Sequence, residues 1–390
     1  MKDEFLEDSE ICMHFGEEYG KYSGAVVPPI FENTIFIYDK IKDFNTAMDN
    51  SLENYIYTRG LNPTIEILEK KLAALEHGEK CKCFSSGMSA MTSALSAFLK
   101  QGDHILFINN IYDGVIGYAK YISKFGVSYT QTFDGRIKEI EKEIKENTKV
   151  IYMESPGTHT FRMLDLKSIA DLAKSRGIVT IIDNTWATPI FQKPLEFGID
   201  ISTHSCSKYI GGHSDVVGGA LISSNKIVNR IFDEEFTLQG GCLGPFEAWL
   251  LIRGLRTLPI RMNKIQESAI KFANFLSDHK AVEKVNYPAL PSDPGYEIGK
   301  KQLKGYSGVM SFEIKSNKYE DIEKLIDACK VFKTGVSWGG FESLIYCPNR
   351  KGNIEELKEY NIPLKLIRIS IGLENVDSLI DDLDNALKLL

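Results

Sequence analysis

Between residues 104 and 204 the chain alternates short, almost unbroken apolar runs with helical segments, and this alternation is its strongest constraint. The runs are His104-Ile-Leu-Phe-Ile-Asn109, 127–132, Lys149-Val-Ile-Tyr-Met-Glu154, Ile178-Val-Thr-Ile-Ile-Asp183 and 199–204. Helical spacing falls between them, over 136–146 and 165–176. A strand apolar on both faces must be covered on both faces, so the pattern predicts an α/β fold with a mostly parallel sheet between two helical layers. Two helices precede it. One runs from Thr64 to His77 and stops before Gly78; the other starts at Gly87 and ends near Lys100. A strand-like return at 217–223 completes this layer.

Beyond about 244 the pattern changes. A helical stretch runs to about 279, broken at Pro259, and strands at 282–287, 308–314 and 366–371 mix with helices at 318–328 and 375–389. The expected division is an extended N-terminal arm over 1–55, a large domain over 56–245 and a smaller α+β C-terminal domain over 246–390. The arm shows little periodicity but carries Tyr19, Tyr22, Phe31, Phe36 and Tyr38, so it is expected to pack on a neighbouring subunit.

Composition narrows the functional classes. At 390 residues, two or three domains fit. A net charge of −7 argues against a global basic field for nucleic acid. No apolar run of about 18 residues predicts a membrane span. The acidic start, Met1-Lys-Asp-Glu-Phe-Leu-Glu-Asp8, does not resemble a signal peptide. Seven cysteines make no disulfide framework, which fits a reducing cytoplasm. Cys81-Lys-Cys83 lacks zinc spacing, and His204 and His213 lack further ligands, so no metal is expected. No Gly-x-Gly-x-x-Gly follows an early strand, which argues against a nicotinamide oxidoreductase.

Ligands of open α/β sheets sit at the carboxyl ends of the strands. One strand ends in Asp183. The next leads into His204-Ser-Cys-Ser-Lys208-Tyr-Ile-Gly-Gly-His-Ser, so one crossover can bring Asp183 and Lys208 to one pocket. A desolvated lysine can serve as a nucleophilic amine. Ser205 and Ser207 flank it, and Ser85-Ser-Gly-Met-Ser89 opens a helix where a phosphate can sit. Alone, each has an ordinary reading: a helix-capping aspartate, a surface lysine, a serine cap. Together they supply what pyridoxal phosphate requires: an amine for its aldehyde, a carboxylate for its ring nitrogen and a phosphate cradle. Arg368, within an apolar strand, needs a partner and favours a ligand carboxylate.

The chain resembles the pyridoxal-phosphate enzymes of cysteine and methionine metabolism, the transsulfuration family. The resemblance runs from Tyr57-Thr-Arg-Gly-Leu-Asn-Pro-Thr64 to Leu366-Ile-Arg-Ile-Ser-Ile-Gly372 and is most specific at Ser205-Cys-Ser-Lys-Tyr-Ile-Gly-Gly-His-Ser-Asp215. Asp183-Asn-Thr-Trp186 and Gly254-Leu-Arg-Thr-Leu258 match as well. Glu154-Ser-Pro-Gly-Thr158, Ser337-Trp-Gly-Gly-Phe-Glu-Ser-Leu344 and Asn286-Tyr-Pro-Ala-Leu-Pro291 look most like the cystathionine β-lyase branch.

The resemblance implies an aspartate-aminotransferase-like large domain and roles for single residues. Lys208 would hold the cofactor covalently and shuttle protons, Asp183 would pair with the ring nitrogen, and Tyr112 would stack on the ring. Gly87, Met88, Ser205 and Ser207 would contact the phosphate. Tyr57 and Arg59 would reach the phosphate of a neighbouring subunit, in a tetramer built from dimers. Arg368 would clamp the substrate carboxylate, assisted by Ser337, with Trp338 walling the site. The implied reaction is β-elimination of L-cystathionine to homocysteine, pyruvate and ammonia, in methionine biosynthesis, with cysteine or cystine as further substrates. The alternatives are γ-elimination or γ-replacement on the same cofactor, and a non-catalytic pyridoxal-phosphate-binding regulatory module. The chain departs from many family members in having Gly157-Thr158-His159 after the Ser-Pro pair, where an asparagine often lies near the ring oxygen. Asp113-Gly114 replaces the Gly-Cys pair of methionine γ-lyases, and Phe236 stands where some β-lyases have tyrosine.

Overall fold

The computed structural model describes residues 7–390. Most of the acidic start read above therefore lies outside the described residues. Seven strands form the large sheet: β1 (Lys80–Phe84), β2 (His104–Ile108), β3 (Ser128–Thr132), β4 (Thr148–Glu154), β5 (Val179–Asp183), β6 (Ile201–Ser205) and β7 (Gly219–Ser223), in the order β1-β7-β6-β5-β4-β2-β3. All neighbours are parallel except β7, which is antiparallel to both β1 and β6. Alternating residues serve the two layers. Ile105, Phe107, Tyr152 and Ile181 pack into one apolar cluster, while Leu106, Ile108, Ile151, Met153 and Ile182 pack into another. None of the nine retains measurable exposure, so the unbroken apolar runs are a consequence of double coverage.

β1 is absent from the sequence reading because Lys80 and Lys82 break its apolar run. Lys82 is nonetheless buried. Its ammonium lies 3.1 Å from the Glu69 carboxylate and 5.1 and 4.7 Å from the ring centroids of Phe232 and Phe236. A paired charge over aromatic faces can occupy a core position that hydropathy assigns to solvent.

The N-terminal arm is not extended throughout. It contains α1 (Asp8–His14) and α2 (Ile41–Asp49), and α1 packs on α3 (Pro63–Leu75) of its own chain. Lys71 of α3, fully buried, donates to the Ile11 and Cys12 carbonyls and pairs with Glu17 at 3.0 Å. Asn62 caps α3 by accepting the Thr64 N–H at 2.9 Å, with Pro63 in the first turn where its missing N–H costs nothing. Further along, Ile35, Ile37 and Ile41 stay exposed.

The second sheet orders β10 (Lys333–Thr334), β11 (Leu344–Tyr346), β12 (Leu366–Ser370), β9 (Val309–Ile314) and β8 (Val282–Asn286). The helix Leu258–Asp278 packs on it. The preceding helix, Pro245–Leu255, packs instead on α3 and so belongs with the large sheet. No helix among the described residues is long and apolar enough to cross a membrane.

Replacing Lys71 by Met leaves Glu17 buried with only the half-buried Arg256 at 3.1 Å. We expect the docking of α1 to weaken by about 3 kcal/mol, the low end for a broken buried pair. Limited proteolysis within the first twenty or so residues, read by mass spectrometry, would show cleavage accelerate roughly a hundredfold.

Candidate active site

Three parallel strands end together at one edge of the large sheet. Glu154 closes β4, and Asp183, its register partner, closes β5. Ser205 closes β6. The chain then turns tightly: Gly211 N–H donates to the Cys206 carbonyl at 2.8 Å and Gly212 N–H to the Lys208 carbonyl at 2.7 Å. This turn brings Lys208 toward Asp183. Arg261, buried in the following domain, holds it from behind by donating to the Tyr209 carbonyl at 2.7 Å.

Lys208 Nζ donates to Ser337 Oγ at 2.6 Å and lies 5.5 Å from the Trp338 ring centroid. The small domain thus reaches the lysine through the residues read from sequence. A cleft between the two sheets is lined by Glu154, Thr158, Asp183, Trp186, Trp338 and Arg368, among others. Trp186 bridges the sheets, its indole N–H donating to the Val309 carbonyl at 3.0 Å.

Three charged side chains converge here without an ion pair. Asp183 accepts only from Thr185: its N–H at 2.9 Å and its hydroxyl. Burial raises the Asp183 pKa, against the pull of Thr185, His204 and Lys208. Burial lowers the Lys208 pKa, and the nearby Arg368 lowers it further, while Asp183 opposes both. Arg368 donates to the Val336 carbonyl and stands 4.9 Å over the Tyr346 ring. It is 7% exposed, and among the described residues no carboxylate lies within 4.0 Å of its nitrogens. Burial brings its pKa down to about 10. A buried guanidinium of this kind calls for an anionic ligand.

The turn expected to cradle a phosphate is shaped by sterics as well as by polar groups. The helix α4 (Gly87–Ser96) starts beside Ser205, and a Cβ at Gly87 would lie 2.8 Å from the Ser205 Cβ. Ser86 caps α4 by accepting the Ser89 N–H at 3.1 Å, which leaves the Gly87 and Met88 N–H groups directed at the helix start. The Ser207 hydroxyl also accepts the Gly218 N–H at 3.1 Å, so part of its capacity goes to its own loop. Tyr112 begins α5 (Asp113–Ile122). A Cβ at Gly114 would lie 2.7 Å from the Tyr112 ring and 2.9 Å from Met88 Sδ. Gly114 therefore makes room for the ring to lie beside the cradle.

Asp183, Trp338 and Arg368 line the cleft, Lys208 and Ser337 meet at its edge, and Gly87, Met88, Tyr112 and Ser205 are tied to it through Thr185, Glu154 and one another, with Ser207 bonded into its own loop. Tyr57 and Arg59 stand apart. The Arg59 guanidinium lies 5.4 Å from the Tyr57 ring centroid, and Tyr57 is 47% exposed. The sequence reading assigned no role to Glu154, Thr185 or Arg261. Glu154 carried a usable signal, a carboxylate closing an apolar strand, the same feature that singled out Asp183.

We expect Arg368→Met to raise KM for an amino-acid carboxylate about a hundredfold, the scale of a lost bidentate charged pair. The same change removes the like charge beside Lys208, so the amine should titrate at higher pH. Reaction of Lys208 with an aldehyde probe followed across pH would show the midpoint move upward.

A family model described as Cys/Met metabolism PLP-dependent enzyme matches residues 9–388. The chain is 37% identical over 384 residues to L-methionine gamma-lyase of Fusobacterium nucleatum subsp. nucleatum, covering 97% of both proteins. It is 36% identical over 388 residues to cystathionine gamma-lyase of Bacillus subtilis, covering 98% of this chain and 100% of that one. Against cystathionine gamma-synthase of Mycobacterium bovis the identity is 36%, covering 96% and 95%. The crystal structure of metB from Corynebacterium glutamicum superposes with a TM-score of 0.92 at 33% identity, covering 98% of both chains. With that agreement over nearly its full length, the chain belongs to the pyridoxal-phosphate-dependent enzymes of cysteine and methionine metabolism.

Proposed function

We propose that this enzyme breaks or exchanges a carbon–sulfur bond of a sulfur amino acid, with chemistry at the γ-carbon. The relatives named above support γ-chemistry over the β-elimination that the local motifs favour. The observation that carries the site is the buried Arg368, without a carboxylate partner, beside a lysine whose basicity is lowered. Arg368 takes the substrate carboxylate, its planar fork giving two parallel hydrogen bonds. Ser337, already bonded to Lys208, holds that end of the substrate in register with the amine.

Lys208 carries the cofactor, Asp183 faces the ring nitrogen, Tyr112 covers the ring, and Gly87, Met88, Ser205 and Ser207 seat the phosphate. Bound there, pyridoxal phosphate supplies an electron sink for a carbanion at the substrate Cα. Once released, Lys208 Nζ takes the Cα proton, and its lowered pKa leaves the amine unprotonated nearer neutral pH than an ordinary lysine. For a γ-reaction the amine would first hand that proton on to the bound cofactor and would then be free to take a second at Cβ. Tyr112, half exposed at the cleft edge, protonates the departing sulfur. Trp338 and Trp186 exclude water from the bond being broken. Tyr57 and Arg59, free of the cleft of their own chain, serve the phosphate of a neighbouring subunit, so each site needs two chains.

β-Elimination is the second reading, favoured by Thr158 in the cleft wall and by Gly114 after Tyr112. L-cystathionine separates the two. Incubated with holoenzyme, it should give 2-oxobutyrate and cysteine by mass spectrometry. Pyruvate with homocysteine would place the enzyme in the β-branch. Lys208→Ala should lose at least about 10²–10⁴ of the rate for either product.

A further inference from the structure

Glu154 and Asp183 end adjacent parallel strands in register, so their side chains leave the sheet on the same side, and both line the cleft. Among the described residues neither lies within 4.0 Å of a lysine, arginine or histidine nitrogen. Two neighbouring carboxyls in a dry site cannot both ionise without such a partner. Their surroundings differ. Asp183 accepts from both donors of Thr185, and Lys208 and His204 favour its charged form. Glu154 accepts the Tyr112 backbone N–H at 2.6 Å, while burial, then Asp183 and Asp113, disfavour its charged form. Tyr152, beneath them, is buried and adds no positive charge, and Arg368 faces the same cleft from the small domain.

Glu154 also answers a structural need. Tyr112 opens α5 with no side-chain cap, and its side chain is about half exposed, so neither capping nor burial fixes it. The hydrogen bond from its N–H to Glu154 Oε1 ties the stacking residue to the end of β4. Asn109 reinforces this end of the strand, its amide donating to the Glu154 carbonyl at 3.0 Å and to the Arg162 carbonyl at 2.8 Å.

We propose that Glu154 is a positioning residue held protonated, so that the Glu154–Asp183 pair carries one negative charge, on Asp183, while the Glu154 side-chain Oε1 fixes the backbone of Tyr112. The inference rests on the reading that Asp183 faces the cofactor ring. A protonated Glu154 keeps a second negative charge away from that ring and still accepts the Tyr112 N–H.

The test uses holoenzyme and two variants. The infrared difference between wild type and Glu154→Gln should contain a protonated-carboxyl C=O band near neutral pH. A carboxylate pair of bands in its place would overturn the proposal. Gln keeps both the neutral charge and the acceptor, so the pH midpoint of the cofactor's visible absorption should not move. A shift of about one unit or more would mean that Glu154 carries charge. Glu154→Ala removes the acceptor and should weaken cofactor affinity about tenfold, with Glu154→Gln restoring it. Equal affinity in the two variants would overturn the link to Tyr112. A holoenzyme that never becomes coloured would instead overturn the assignment of Lys208, while the infrared band still reports the state of Glu154.

Discussion

Charge held without counter-charge governs this structure. Asp183, Lys208 and Arg368 meet in one cleft, and no two of them form an ion pair. Each would be costly to bury if the protein alone had to satisfy it. Their signs and positions fit a ligand that brings a protonated ring nitrogen, an aldehyde and a phosphate, followed by a substrate that brings a carboxylate. The protein builds a charge distribution that the bound molecules complete.

Holding such a site open requires rigid support, and the support is distributed. The large sheet brings three strand ends together, with two apolar layers excluding water from its faces. Arg261 fixes the lysine turn from behind, through carbonyls of both the turn and the helix that ends at Leu255. Trp186 and Ser337 join the two sheets across the cleft. Another buried cation, Lys71, fastens the N-terminal helix to α3, next to the large-domain core. Paired or carbonyl-bonded cations thus recur at joints between segments distant in sequence, where directional bonds specify geometry better than apolar contact does.

Branch assignment within the family turns on different information from family membership. In the proposed reading Lys208 and Asp183 act on the cofactor and Arg368 on the part of the substrate common to all amino acids, so these three do not separate the branches. The choice between β- and γ-chemistry depends on room and proton acceptors near the substrate's side chain. Local motifs favoured the β-branch, whereas the full-length relatives are γ-lyases and a γ-synthase. Side-chain substitutions around a shared cofactor are small changes in sequence with large chemical effects, so a short motif is a weak guide to them.

Much of the architecture was legible in the chain. Double-sided burial leaves unbroken apolar runs, so most central strands of the large sheet fell within one or two residues of their expected ends. A charge closing such a run has nowhere to go but the strand end, and this exposed Asp183; Glu154 carried the same signal but was passed over. β1 stayed hidden because Lys82 is neutralised by Glu69 beneath two aromatic rings far along the chain, and Lys80 donates to Asn229. The N-terminal helix stayed hidden because its carbonyls are satisfied by Lys71, not by a sequence-local cap. By itself, then, the sequence determined the periodic elements and the types of the reactive groups, since both follow from local residue chemistry. Only the tertiary structure decided which charges lack partners, because the presence of a counter-ion is a property of distance in space.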